Sequence, residues 1–205
     1  MKKHSLLLIL LVSLAACSQK KEIFNDYTAS IKEFQFELNT KYADKDESPL
    51  TEKDLKEFKA LDFFSIDSTY KINAKFELNE NPVFFEMPTT TERKPIYKTY
   101  GKATFVIDGK ELVLHIYQNQ DLIKMPEYKN HLFIPFTDLT NSNGTYGGGR
   151  YIDLEIPEGD TIVIDFNRAY NPYCAYNHKY SCPIPPREND LSVAIKAGVK
   201  DFGKH

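Results

Sequence analysis

Between residues 22 and 41 apolar side chains recur every three or four positions, at Ile23, Tyr27, Ile31, Phe34 and Leu38. That spacing gives one face of an α-helix to apolar groups and the other to charged ones, so it predicts an amphipathic helix. The charged stretch ADKDESP interrupts the pattern. Thr51 with Asp54 then reads as a capping box for a second, short helix ahead of LKEFKAL.

Past Asp67 the period drops to two. YKINAKFEL places Tyr70, Ile72, Ala74, Phe76 and Leu78 at alternate positions, as a half-buried strand requires. VFFEM, YKTYGKATFVI, ELVLHIYQN, HLFIPF, RYIDLEI, TIVIDF and LSVAIKA follow between turn residues. Among the turns are Asp108-Gly109, a type I′ hairpin signal, and Glu158-Gly159. About eight strands with no helical pattern between them predict a mainly β fold. The expected form is an antiparallel β-sandwich or barrel with an N-terminal amphipathic helix and a short second helix. LVLHIY is apolar or aromatic on both faces, which predicts a central strand with the N-terminal helix covering one side.

The first residues bear on where such a domain works. MKKHSLLLILLVSLAACSQK runs from lysines through an apolar stretch to small residues, the order of a secretory signal, and the stretch falls short of the ~20 residues of a membrane span. LAAC, residues 14–17, resembles the lipobox of bacterial lipoproteins, in which the cysteine becomes the first residue and carries lipid. The expected organisation is a signal peptide over 1–16, a lipidated Cys17 with tether and helix over 17–47, and a β-rich domain over 48–205. Ser18 resembles an outer-membrane sorting signal, so the expected location is the bacterial cell envelope. Cleavage before Cys17 removes Lys2 and Lys3 and leaves 24 basic against 29 acidic residues, net charge −5. That balance disfavours nucleic acid as a partner.

With Cys17 given to lipid, Cys174 and Cys182 remain as a pair that an oxidising compartment would hold as a disulfide. The seven-residue loop they enclose would lose about 2.5 kcal/mol of unfolded-state entropy. His178 lies midway between them and suggests zinc, with Asp165, Glu188 or Asp190 as a further ligand, but the spacing matches no zinc motif. No metal and no other cofactor is expected. NGTYGGGR lacks the Gly-Lys-Ser/Thr ending of a phosphate loop and precedes a strand rather than a helix.

Two stretches depart from the strand pattern, FIPFTDLTNSNGTYGGGRYIDLE and DFNRAYNPYCAYNHKYSCPIPPRENDLSVAIKAGVKDF. Here the chain resembles the domain-of-unknown-function family numbered 1684. The matching positions include Phe136, Asp138, Thr140, Thr145, Tyr146, Gly149, Arg150 and Tyr151, then Asp165, Asn167, Tyr170, Asn171, Pro172, Cys174, Cys182, Pro183, Asn189, Gly198 and Lys200. The resemblance spans residues 49–202 and implies membership without an activity.

RYIDLEI and TIVIDF, joined by the short Glu158-Gly159 turn, are expected to pair as a hairpin, bringing Arg150 beside residues 166–168. On that geometry Tyr146, Arg150, Asp165, Asn167, Arg168, Tyr170 and Asn171 are candidate binding residues. Their ligand would be a polar molecule, a glycan, a peptide or a partner protein. The competing account is that these groups only satisfy one another's backbones. Two other functions stay open: a small hydrolase using Asp138, Asp153 or Asp165 with Arg150, and a purely structural lipoprotein.

Overall fold

The computed structural model describes residues 15–203, with side chains from Asp26 onward. The expected signal peptide over 1–16 and the lipobox ending at Cys17 lie outside the described residues, apart from helix backbone from Ala15.

Two helices precede the sheet. In α1 (Ala15–Ala43) the predicted stripe turns inward: Ile31 is buried and Tyr27, Phe34 and Leu38 are half-buried, with Tyr42 buried beyond it, while the Ile23 side chain lies outside the described residues. The short α2 (Glu52–Glu57) starts as expected, with Thr51 accepting from the Asp54 N–H at 3.2 Å and donating to the Asp54 carboxylate at 2.6 Å.

Seven antiparallel strands follow: β1 (Lys71–Leu78), β2 (Phe84–Glu86), β3 (Ile96–Ile107), β4 (Lys110–Asn119), β5 (His131–Phe136), β6 (Arg150–Glu155) and β7 (Thr161–Asp165). They form one sheet, ordered β6-β5-β4-β3-β1-β7 with β2 against the start of β3, curled into a half-barrel. The β3–β4 hairpin turns at Asp108 and Gly109, both with positive φ, as a type I′ turn needs. Alternate residues of every long strand point into the curl, where Phe76, Phe105, Leu114, Ile134, Ile152 and Ile164 meet in the main core.

Three expectations are corrected. The eighth strand, over residues 191–197, does not form. Its alternation is real, since Leu191, Val193, Ile195 and Ala197 are buried in the main core while Ser192 and Lys196 are exposed. Its backbone, however, finds scattered partners instead of a ladder. Leu191 N–H donates to Thr137, Leu139 N–H to Val193, and Ile195 N–H to the Asp138 carboxylate. Period two reports burial on alternate sides, and an extended segment plugging a curled sheet shows it as well as a strand does.

The second correction concerns the β6–β7 hairpin. β6 pairs with β5 and β7 with β1, so the two are the opposite edges of the hydrogen-bonded path. Curling brings these edges toward each other, and the chain after β7 closes part of the gap: Tyr151 and Tyr170 exchange backbone hydrogen bonds at 2.9 and 3.0 Å.

The third correction is the cover of the central strand. The outer face of β4 is buried at Tyr117, under Phe85 and with Met87, Tyr97, Phe133 and Tyr151. Helix α1 instead docks at the seam between β6 and β7. There the Tyr27 hydroxyl donates to Asp165 at 3.1 Å and accepts from Asn167 at 2.9 Å.

Candidate functional site

Arg150 heads β6, and because its side chain shares the inward face with Ile152 it enters the core, fully buried. Gly149 precedes it at φ +91°, where a Cβ would lie 2.6 Å from the Phe136 carbonyl, so only glycine lets the chain turn in here. Arg150 Nη2 donates to Asp138 at 2.8 Å and to the Ile195 carbonyl at 2.9 Å, and Nη1 donates to the Ala197 carbonyl. Asp138 also accepts from the Thr140 N–H at 2.8 Å and from the Thr140 hydroxyl at 2.6 Å. Burial pushes the guanidinium pKa down and the Asp138 charge pushes it back up. Both terminal nitrogens of the fork are thus occupied by the molecule's own groups, while Nε is buried without a hydrogen-bond partner among the described residues.

The asparagines work in the same way. Asn167 accepts from the Asp67 N–H at 3.0 Å and donates to the Asp67 carbonyl at 2.8 Å, while Asn171 donates to the Lys200 carbonyl at 2.9 Å. Asn189 clamps His115 on β4 and the Pro135 carbonyl on β5. Asp165 is held by Tyr27 and by the Asn167 N–H, and Arg168, exposed, lies over the Phe34 ring at 5.2 Å. Tyr146 places its hydroxyl 3.8 Å from Cys174 Sγ. Arg150, Asn167 and Asn171 therefore line no common cleft. They tie irregular segments to the half-barrel, and Asn171 Oδ1 is buried without a hydrogen-bond partner among the described residues.

Cys174 and Cys182 are both buried and stand as free thiols, where a disulfide was expected. They are neighbours nonetheless: the Cys174 N–H donates to Cys182 Sγ at 3.2 Å. Hydrogen bonding from Cys182 pulls the Cys174 thiol down to about 6, with help from Tyr146 and Thr90 against the opposing effect of burial. The same interaction pushes Cys182 up. The zinc alternative finds no support in the geometry, because among the described residues no group of three or more His, Cys, Asp or Glu converges.

The remaining chemistry faces outward. On β5 and β6 the residues alternating with the core are His131 and Phe133, and Tyr151 and Asp153. His131 sits diagonally across from Asp153, and its Nε2 lies 3.0 Å from Oδ1. The Tyr170 hydroxyl, placed by the Tyr151–Tyr170 bridge, donates to the other oxygen at 2.7 Å. Burial, reinforced by the Asp153 charge, pushes Tyr170 well above the usual phenol range, so it remains a proton donor at neutral pH.

Rings surround this trio. Phe133 meets Tyr151 edge-on at 4.8 Å, Tyr151 meets Tyr170 at 5.8 Å, and Tyr173 meets Tyr180 at 5.2 Å. Together they wall a cleft of about 360 Å³ with Tyr128, Pro172 and Pro183 at its margin. A second groove of about 660 Å³ adjoins it, lined by Glu127, Asn130 and Glu155 and sharing Tyr128, His131 and Asp153. His131 Nδ1 is buried without a hydrogen-bond partner among the described residues. A third, smaller groove of about 190 Å³ lies at the seam under Tyr27, bordered by Asp165 and Arg168.

Of the seven residues expected to bind ligand, only Tyr170 borders the aromatic cleft. His131, Tyr128 and Tyr97 were missed. A signal for His131 was present, since period two on HLFIPF and RYIDLEI puts His131, Phe133, Tyr151 and Asp153 on the faces that do not enter the core.

A family model described as "Protein of unknown function (DUF1684)" matches residues 56–200. Among solved structures, the chain is similar to the solution NMR structure of an uncharacterised protein from Haloarcula marismortui. Identity is 31% and the TM-score 0.70, with 90% of this chain and 99% of that one covered. Among curated proteins nothing matches.

Proposed function

The chain belongs to the DUF1684 family of proteins of unknown function, and from that premise we propose that it is a lipid-anchored envelope protein whose outer aromatic cleft binds a ligand. The observation that carries the cleft is Asp153. Its side chain is 47% exposed, yet it is held by His131 on one side and Tyr170 on the other. A carboxylate fixed in this way offers its remaining lone pairs in a set direction, and the rings beside it give a ligand an apolar surface to cover. Loop residues supply Tyr173, Tyr180 and Pro183, and strands supply His131 and Asp153, so a rigid base carries adaptable walls.

The anchoring half of the reading rests on the order of residues 1–17 and on LAAC. Removal of the signal peptide, acylation of Cys17 and outer-membrane sorting through Ser18 belong to it. For the hydrolase alternative, Asp138 is committed to Arg150 in the core, which leaves Asp153 and Asp165, both bordering the seam groove but held in separate hydrogen-bond sets.

The test is residue-resolved NMR on the purified chain, titrated with panels of sugars, peptides and envelope lipids. Signals of Tyr128, His131, Asp153 and Tyr170 are expected to move first, and Asp153→Asn to weaken binding about tenfold or more without lowering the melting temperature. Shifts confined to another face would refute the cleft. A panel that moves nothing would favour the purely structural lipoprotein.

A further inference from the structure

We propose that the ligand of this cleft is a neutral oligosaccharide of more than one ring, lying through the cleft and along the adjoining groove. The proposal rests on the reading of the cleft as the binding site and specifies what occupies it. Three features of the surface point to this chemistry.

The first is continuity. The cleft of about 360 Å³ and the groove of about 660 Å³ share Tyr128, His131 and Asp153, so they adjoin as two parts of a furrow with the carboxylate on their common border. Each part alone falls within the ordinary volume of a small-molecule site. A ligand filling only one part would leave the other open beside it, whereas a chain of linked rings fills both.

The second is the division of labour along the furrow. Aromatic side chains crowd the cleft end, with Tyr128, Tyr173 and Tyr180 among them and Lys41 and Lys179 over the last two rings, while Glu127, Asn130 and Glu155 mark the groove end. A sugar ring has one nearly apolar C–H face and a rim of hydroxyls. The apolar face can lie on a tyrosine ring while the rim meets carboxylates, amides and phenols. Tyrosine gives such contact at low entropic cost because it is rigid and amphipathic.

The third is charge. The groove end carries Glu127, Asp153 and Glu155 against a single Lys129, so hydrogen-bond acceptors dominate. At that end phosphates, acidic sugars and acidic peptides would meet like charge, whereas hydroxyl groups arrive as donors; the cations Lys41, Arg93 and Lys179 flank the cleft end. An extended peptide adding as a strand is blocked at the centre of the site. At Tyr151 the free edge of β6 is already bonded to Tyr170 in both directions.

The experiment uses the full chain and two soluble series, β-1,4-linked glucose and β-1,4-linked N-acetylglucosamine oligomers of one to four rings, followed by calorimetry and NMR. The chain has no tryptophan, so fluorescence comes from its 13 tyrosines, and Tyr→Phe variants of the cleft separate the contribution of its rings from the rest. In at least one series affinity is expected to rise about tenfold for each added ring that gains a stacking contact, then to level off. Tyr128→Ala should weaken every member that spans the shared wall, and Tyr128→Phe should restore most of the loss. Glu155→Gln should weaken only the longer members. Near-ultraviolet dichroism establishes that each variant is folded. Binding without length dependence at the cleft residues overturns the multi-ring ligand and leaves the cleft as a site. Silence toward both series, with a peptide or lipid shifting the same residues, overturns the saccharide and again spares the cleft. Sugar-induced shifts on a different face overturn both.

Discussion

Arg150 shows how much a single residue's neighbours decide. An arginine between a glycine loop and a strand suits a ligand fork and a structural pin equally well. The alternation of β6 resolves the choice of acid partner, because Arg150 and Asp153 are three apart and point to opposite faces, so Asp153 was never within reach. The true partner, Asp138, lies twelve residues upstream on the far side of the glycine loop, at a distance that spacing does not encode. Asp138→Ala is expected to cost about 3–5 kcal/mol in denaturant unfolding, because it leaves a guanidinium uncompensated in the core. A paired Arg150→Met, Asp138→Leu variant should recover much of that loss, and equal destabilisation by the two would refute the ion-pair account. The cysteines also carry a residue-scale prediction. In the reduced protein Cys174 is held at about 6, below its ordinary value of 9.0, so between those limits the folded state is ionised and the unfolded state is not. Stability from Cys174 is then fully present above the unfolded value and lost as pH falls through about 6. Cys182, pushed up, opposes it above the unfolded value. Thiolate absorbance should rise with a midpoint near 6 and vanish in Cys174→Ser, and the melting temperature should rise from acid to neutral pH more in the parent than in that variant. A first thiolate step only in the range of an unperturbed thiol would contradict the hydrogen-bonded pair.

At the scale of elements, the strands were legible because each buries one face, and burial on one face is what period two records. Residues 191–197 show the limit of that signal. They bury Leu191, Val193, Ile195 and Ala197 alternately, but Arg150 draws on the Ile195 and Ala197 carbonyls, and no ladder can form there. The β6–β7 pairing failed for a different reason. A short turn favours a hairpin only where both strands lack better partners, and here β5 and β1 take them. Helix α1 was found by its stripe, but its docking place depends on the seam that curling creates. Tyr27 is the latch at that seam, with Asp165 and Asn167 as its partners. Tyr27→Phe keeps the ring under Lys71 and removes both hydrogen bonds. The expected cost is about 1–2 kcal/mol. Amide exchange should speed up along α1 while β3 and β4 stay protected. Uniform acceleration across helix and sheet would show that α1 unfolds only with the whole domain.

At the scale of the molecule, the anchor and the cleft have to be compatible. No helix among the described residues is long and apolar enough to cross a membrane, so in the proposed arrangement the hold on the bilayer comes from lipid on Cys17. Buried acyl chains contribute about 0.8 kcal/mol per methylene, enough for a multiply acylated residue to retain a domain of this size. Helix α1 runs unbroken from Ala15 to Ala43, and the ten residues from Cys17 to the Tyr27 latch span roughly 15 Å at the helical rise. In that proposed arrangement a domain on so short an arm would stay near the lipid surface, and its cleft would sample ligands of the envelope rather than of bulk solvent. Cys17→Ala is expected to move the protein from the membrane fraction to the soluble one, or to leave it uncleaved. The melting temperature of the purified domain should not change, because the latch begins at Tyr27. Mass spectrometry of the parent should find its first residue to be an acylated Cys17. An unmodified Cys17 in the parent, with unchanged membrane fractionation in Cys17→Ala, would remove the anchor. The cleft would then have to be explained in another compartment.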